Sequence, residues 1–242
     1  MTLAPQLALR KVDKVYPGHP PLHVLKDIDL SIQAGEFVAV VGPSGSGKTT
    51  MLSIMGTLDQ PTAGEVWIGG VNAAAIGEVE RSVLRSDVIG FVFQQFFLLP
   101  SLTALDNVAE GMLYQRRRRA ERRRLAMAAL EQVGLASRAR HRPGELSGGE
   151  QQRVAIARAI AGQPGILFAD EPTGALDQTS GHLIVDYLRT IADAGTTVVV
   201  ITHDQALAAR FDRKVSLLDG AIVRDQRRRA SLRPPSPVGA SR

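Results

Sequence analysis

Residues Phe37-Val38-Ala39-Val40-Val41 run directly into Gly42-Pro43-Ser44-Gly45-Ser46-Gly47-Lys48-Thr49, and no other stretch constrains the fold as strongly. The apolar run reads as a strand buried on both faces, which requires a sheet covered on each side by other elements. The glycine-rich turn behind it matches G-x-x-x-x-G-K-[ST], a pattern that sits between a strand and a helix. Its physical sense is anion binding. The glycines let backbone N–H groups curl round a phosphate, and the helix opening near Lys48 aims its positive end at the same point. Lys48 is placed for the β- and γ-phosphates of a nucleotide such as ATP. Thr49 offers a hydroxyl to Mg²⁺, which takes few protein oxygens beside phosphates and water, and Thr50 completes the set of binding candidates here. The plainer reading, a turn that binds nothing, leaves the strand before it and the helix after it unexplained.

Short runs rich in Val, Ile and Phe alternate with longer helical patterns, the mark of an α/β fold around a mainly parallel sheet. Strands are expected at 7–12, 22–32, 37–41, 65–68, 88–93, 166–169, 197–201 and 214–218, with Asp219-Gly220 closing a hairpin onto Ala221-Ile222-Val223. From Thr103 to Ala161 the chain reads almost wholly helical, with Leu125, Ala129, Leu130 and Val133 at helix spacing and Gly134 as a C-cap. A nucleotide-binding domain over 1–226, with a helical part at about 100–162, is expected. Residues 227–242 combine Arg, Ser and Pro without periodicity and read as a disordered tail.

The pI near 10 invites a nucleic-acid partner, but the charge is concentrated. Residues 116–124 hold seven Arg and one Glu, residues 224–242 hold six Arg and one Asp, and what remains carries −6. Such a body repels a phosphate backbone, so no nucleic acid is expected. The absence of cysteine removes disulfides, thiolate metal sites and cysteine nucleophiles together and suits a reducing cytoplasm. No apolar run approaches bilayer length, and Met1 to Gln6 carry no export signal, so a chain lying outside the bilayer is expected.

Ile166 to Ala169 deliver Asp170 and Glu171 at the C-terminal edge of a strand, where ligands bind in open α/β sheets. The two acids alternate in direction. Asp170 suits the Mg²⁺ shell, and Glu171 suits a water attacking the γ-phosphate, as general base or polariser. Upstream of that strand, Leu146-Ser147-Gly148-Gly149-Glu150 contains an S-x-x-E capping box before a helical run. Two glycines just beyond a cap lose about 1 kcal/mol of helix propensity each. That loss is better explained if bare backbone must approach a ligand, which points to a second phosphate-seeking helix terminus.

Leu-Ser-Gly-Gly-Glu between a phosphate loop and an apolar-Asp-Glu strand resembles the signature of the ABC ATPase family, and the resemblance extends from about Leu7 to Asp225. It implies that Tyr16 stacks on adenine, that Gln94 is a metal- and γ-phosphate-reading glutamine, that Asp177 marks the D-loop and that His203 is the switch histidine. It also implies a head-to-tail homodimer, the Ser147–Glu150 segment of one chain completing the ATP site on the other. Hydrolysis through Glu171 would let that dimer reopen and move a partner. Gly90-Phe91-Val92-Phe93-Gln94, Leu98 to Ala104 and Asp170 to Asp177 resemble the lipoprotein-releasing and macrolide-export group. That group pairs its ATPase with a separate membrane permease and handles lipoproteins, peptides and antibiotics. The resemblance therefore implies a peripheral protein on the cytoplasmic face of the cell membrane. A soluble ABC ATPase of repair, translation or cofactor assembly is the alternative, and a non-transporting envelope regulator is a third. The Arg-rich stretch reads first as a solvated helix face and second as a contact for lipid or permease.

Overall fold

A computed structural model gives the structure of residues 4–228. Ten strands form two sheets. The first strands are β1 (Leu7–Tyr16), β2 (Leu22–Ile32), β3 (Phe37–Val41), β4 (Ala63–Ile68) and β5 (Val71–Asn72). They are followed by β6 (Ile89–Val92), β7 (Ile166–Asp170), β8 (Thr197–Thr202), β9 (Arg213–Leu218) and β10 (Ala221–Arg227). The larger sheet has the order β10-β9-β3-β8-β7-β6, with every pair parallel except the β9–β10 hairpin. The smaller, β2-β1-β4-β5, is antiparallel. Asp219 and Gly220, both at positive φ, make the expected two-residue hairpin turn.

Alternation along β3 shows how the sheet is sandwiched. Phe37, Ala39 and Val41 pack into a core shared with the helices, whereas Val38 and Val40 pack into a second core shared with the smaller sheet. The helices are α1 (Lys48–Met55), α2 (Glu78–Val88), α3 (Ala104–Glu110), α4 (Arg119–Gln132), α5 (Gly148–Ile160), α6 (Gln178–Asp193) and the short α7 (Gln205–Ala208). Gly134, at φ 68, ends α4 as its spacing requires.

Several boundaries differ from expectation. The region 103–161 is not continuously helical: α3 stops at Glu110, residues 111–118 form a turn and loop, and single 3-10 turns occupy 136–138 and 143–145. Gly111, the C-cap of α3, accounts for the first interruption, and Pro143-Gly144 for the last. Helix α2 takes Val88 from the expected strand, and β5 carries too few residues to leave a pattern. The tail also begins later than read from sequence. Arg227 closes β10 and binds Glu36 at 2.8 Å, and the Arg228 N–H donates to the Asp212 carbonyl at 2.6 Å. Residues 229–242 of the expected tail lie outside the described residues.

One buried arginine ties the two sheets together. Arg213 on β9, 6% exposed, donates two bonds to the Asp225 carboxylate at 2.6 and 2.8 Å, one to Glu36 at 2.7 Å and one to the Ser31 carbonyl of β2 at 2.7 Å. These partners, bonds to Asp225 first, hold the guanidinium well above the usual arginine range against the opposing effect of burial. Replacing it leaves the Asp225 carboxylate without its bonded cation and Glu36 with Arg227 alone. Arg213→Met is expected to destabilise the fold by about 3 kcal/mol, and chemical denaturation of the purified chain measures it; an unchanged midpoint would show that the clamp is dispensable.

Candidate nucleotide site at the strand ends

Strand register decides where the chemistry lies. Val41 pairs with Thr202, Ile201 with Asp170, and Ala169 with Val92, so four parallel strands finish on one edge. The phosphate loop leaves β3 there, His203 follows β8, Asp170 and Glu171 close β7, and Gln94 lies two residues past β6.

The loop 42–47 is shaped as its composition requires. A Cβ on Gly42 would fall 2.2 Å from the Leu217 carbonyl oxygen, so no larger residue fits between β9 and the turn. Gly45 and Gly47 adopt φ 80 and 99, and Gly47 is the N-cap of α1. Pro43, Ser44 and Gly45 are exposed at the loop's outer rim. Helix α1 has no side-chain cap and no acid in its first turn. Its leading N–H groups are therefore open to an anion. Lys48 is 8% exposed and its ammonium donates to the Gly42 and Pro43 carbonyls at 2.9 and 2.8 Å, drawing the loop round it. The Ser46 hydroxyl is buried without a partner, Thr49 is exposed and Thr50 half-buried. An uncapped helix, an unpartnered hydroxyl and a centred ammonium fit a polyphosphate.

The two acids diverge. Glu171 sits at φ 45, its N–H still bonded to the Ile201 carbonyl at 2.9 Å, and its carboxylate turns to the end of β8. There it accepts the His203 backbone N–H at 3.1 Å and contacts His203 Nδ1 at 2.8 Å. Asp170 lies on the Lys48 side. Burial pushes its carboxyl above the usual range, the Glu171 charge adds to the rise, and Lys48 opposes it. A site that holds a carboxylate against its own preference is one that a cation completes. Among the described residues no cluster of three or more His, Asp or Glu side chains could hold a metal by itself. An ion would have to take its remaining ligands from phosphate, water, Thr49 and Gln94. Gln94 is exposed and packs on the turn after Glu171, its Nε2 only 2.9 Å from where a Gly174 Cβ would stand.

Other expected residues lie elsewhere. Ser147 caps α5 and makes the reciprocal box with Glu150, at 2.8 and 3.3 Å. The atoms nearest the Cβ positions of Gly148 and Gly149 belong to Phe96, Leu176 and Ser180, none of them in the phosphate loop. Asp177 caps α6 through Ser180. Tyr16 gives its hydroxyl to Asp59 at 2.8 Å, and the Lys14 ammonium lies 4.7 Å from its ring centroid. One ring face is thus already in use. The sequence reading missed two side chains that shape the site. Gln152, fully buried, donates to the Pro172 carbonyl at 2.8 Å and so fixes the turn after Glu171 from α5. Arg158 donates to the Phe96 and Phe97 carbonyls at 2.9 and 2.6 Å, holding the loop beyond Gln94. Both stand in an ordinary-looking helix, and only contact reveals them.

Comparison with known proteins places this geometry. Residues 25–174 match the family described as ABC transporter. The chain is 46% identical over 222 residues to the uncharacterized ABC transporter ATP-binding protein YvrO of Bacillus subtilis, covering 91% of this chain and 97% of that one. It is 47% identical over 237 residues to the macrolide export ATP-binding/permease protein MacB 1/2 of Paracoccus denitrificans, covering 98% of this chain but only 36% of that one. The chain thus spans little over a third of such ATP-binding/permease relatives. Among solved structures, the dimeric MJ0796, a bacterial ABC transporter cassette, matches with a TM-score of 0.83 at 45% identity, covering 91% of this chain and 98% of that one. A second dimeric structure of MJ0796, a post-hydrolysis state bound to ADP and Pi, gives 0.82 at 44% identity, with the same shares covered. The chain belongs to the ABC transporter family as an ABC-type ATPase.

The electrostatics of Asp170 give a test that needs no nucleotide. A carboxylate whose folded-state pKa is raised destabilises the fold once pH exceeds its unfolded value. Asp170→Asn is therefore expected to raise the melting temperature at neutral pH, with the gain vanishing as pH falls below the ordinary carboxylate range. A gain independent of pH, or a loss, would contradict the assigned environment.

Proposed function

We propose that two copies of this chain close head-to-tail on two ATP molecules and that hydrolysis reopens them to drive a separate membrane permease. The observation that carries this is that the two phosphate-seeking helix termini of one chain have different surroundings. The α1 end is open at the strand edge, whereas the glycines at the α5 end are lined by Phe96, Leu176 and Ser180 and by no atom of the phosphate loop. A Ser147–Glu150 segment supplied by a second copy lets one ATP meet both kinds of terminus. The dimeric state of the solved relatives supports the reading.

In this arrangement Lys48, the loop 42–47 through its N–H groups other than at Pro43, and Thr50 hold the phosphates, Tyr16 borders the adenine, and Asp177 lies across the dimer seam. Mg²⁺, held by Thr49, Asp170 and Gln94, would neutralise charge on the β- and γ-phosphates. Glu171 takes a proton from the attacking water as the bond from the γ-phosphorus to the bridging oxygen breaks and ADP leaves. His203, which contacts Glu171 at 2.8 Å, would link phosphate state to the carboxylate's freedom by exchanging that contact for one with the γ-phosphate. The ATPase domain, 1–226 in the sequence reading and extended by Arg227 and Arg228 at the end of β10, has its helical part at about 100–162.

A permease is supported by an apolar groove of about 880 Å³ between α2, β6 and the end of α3. Val79 is 80% and Tyr114 86% exposed on its rim, more apolar surface than a closed enzyme needs. Seated there, the partner would hold the chain on the cytoplasmic face of the membrane. Relatives named for macrolide and pyoverdine export support an export role, with lipoprotein, peptide or antibiotic as the cargo class.

Glu171→Gln is expected to lower turnover by about 10²- to 10⁴-fold and to accumulate as an ATP-bound dimer on a sizing column. Adding Ser147→Arg should return that variant to a monomer that still binds ATP. Normal turnover by Glu171→Gln, or a dimer indifferent to Ser147→Arg, would overturn the composite site.

A further inference from the structure

The segment joining α3 to α4 is the most strongly charged patch of the described residues, and the nucleotide site makes no use of it. Leu113 and Tyr114, 46% and 86% exposed, lead into Arg116, Arg117, Arg118 and Arg119, and three more arginines follow at 122–124. Arg117 pairs with Glu121 at 3.2 Å and Arg123 pairs with Asp106. Arg116, Arg118, Arg119, Arg122 and Arg124 have no carboxylate partner among the described residues, and two nitrogens of the Arg122 guanidinium are buried without any hydrogen bond. Arg116, Arg118, Arg119 and Arg124 are exposed within one short segment, a surplus of positive charge that a multivalent anion would neutralise.

Position narrows the choice of anion. Gln115 donates to the Ser86 carbonyl of α2 at 2.6 Å, so the segment is fastened to the rim of the apolar groove that Gly111 and Tyr114 help to line. Helix α4 buries Leu125, Ala126, Ala129 and Leu130 against the core, while Arg118, Arg119 and Arg124 stay exposed and only Arg122 is partly buried. Aromatic platforms between them, as a nucleic-acid strand would need, are missing; Tyr114 precedes the run. An aromatic and a leucine beside unpaired arginines match the chemistry of a bilayer interface, where aromatic rings sit at headgroup level and basic side chains meet anionic lipid.

We propose that Leu113–Arg124 is a lipid-contacting edge that binds the anionic phospholipid headgroups of the membrane beside the permease. The orientation rests on the reading that the groove seats a permease, but lipid binding by the chain alone does not. Wild-type chain is expected to co-sediment with vesicles of phosphatidylglycerol and phosphatidylcholine, and not with phosphatidylcholine alone, and to detach at high salt.

The quadruple variant R116Q/R118Q/R119Q/R124Q should bind the anionic vesicles about tenfold more weakly or worse, with ATP hydrolysis in solution unchanged. The matching Arg→Lys set should retain binding, because the attraction is one of charge. A second variant with Arg229, Arg233 and Arg242 changed to Gln should also retain it. Loss only in the Arg→Gln quadruple variant supports the proposal. Equal binding to neutral vesicles, loss with the C-terminal variant alone, or no vesicle binding beside binding to an acidic peptide would each overturn it. Since none of these readouts requires hydrolysis, failure here is distinguishable from failure of the ATPase reading.

Discussion

The parallel pairing of β3 with β8, and of β8 with β7, ends Val41, Thr202 and Asp170 on a single edge, and the chemistry of the chain depends on that register. A shift of one residue would turn every buried side chain of these strands to the opposite face. The shift is forbidden because both faces are committed, Phe37, Ala39 and Val41 to the helical core and Val38 and Val40 to the core beneath the smaller sheet. Packing therefore sets the position of Lys48, Asp170, Glu171 and His203 relative to one another before any ligand arrives. Function follows from apolar alternation that carries no functional group.

On that edge the protein gathers groups that do not stabilise one another well. Helix α1 begins without a cap, Ser46 buries an unbonded hydroxyl, and Asp170 is held beside Glu171 at a raised pKa. Each feature costs stability in the isolated chain, and each is of a kind that a phosphate or a divalent cation would relieve. The contrast with α5 is informative. Its terminus is closed by the Ser147–Glu150 box, so it is ordered on its own while keeping Gly148 and Gly149 bare. In the proposed dimer the first terminus would take the nucleotide and the second would be presented to it from the other chain.

Much of this was legible in the sequence because it rests on local rules. The glycines of 42–47, the acids after an apolar strand, the capping box and the Asp219-Gly220 turn each follow from a short pattern with a single physical meaning. The hidden part depends on contacts distant along the chain. Gln152 and Arg158 sit in a regular helix, and their bonds to Pro172, Phe96 and Phe97 follow only from how α5 packs. Arg213 read as one charge among many, yet it bridges β2, β9 and β10 because folding buries it. The helical reading of 103–161 missed the break at 111–118, since periodicity on either side masked the turn that begins at Gly111.

The claim on which the account turns is that each ATP is held by α1 of one chain and α5 of another. Mixing two defective chains tests it directly. Lys48→Ala spoils the phosphate loop and Ser147→Arg spoils the presented terminus, so neither homodimer has an intact site. A mixed dimer has one, formed from the sound loop of the second chain and the sound terminus of the first. The account predicts that ATP hydrolysis by the mixture rises well above that of either variant alone. Activity no greater than the average of the two would place both elements on the same chain's site and contradict it.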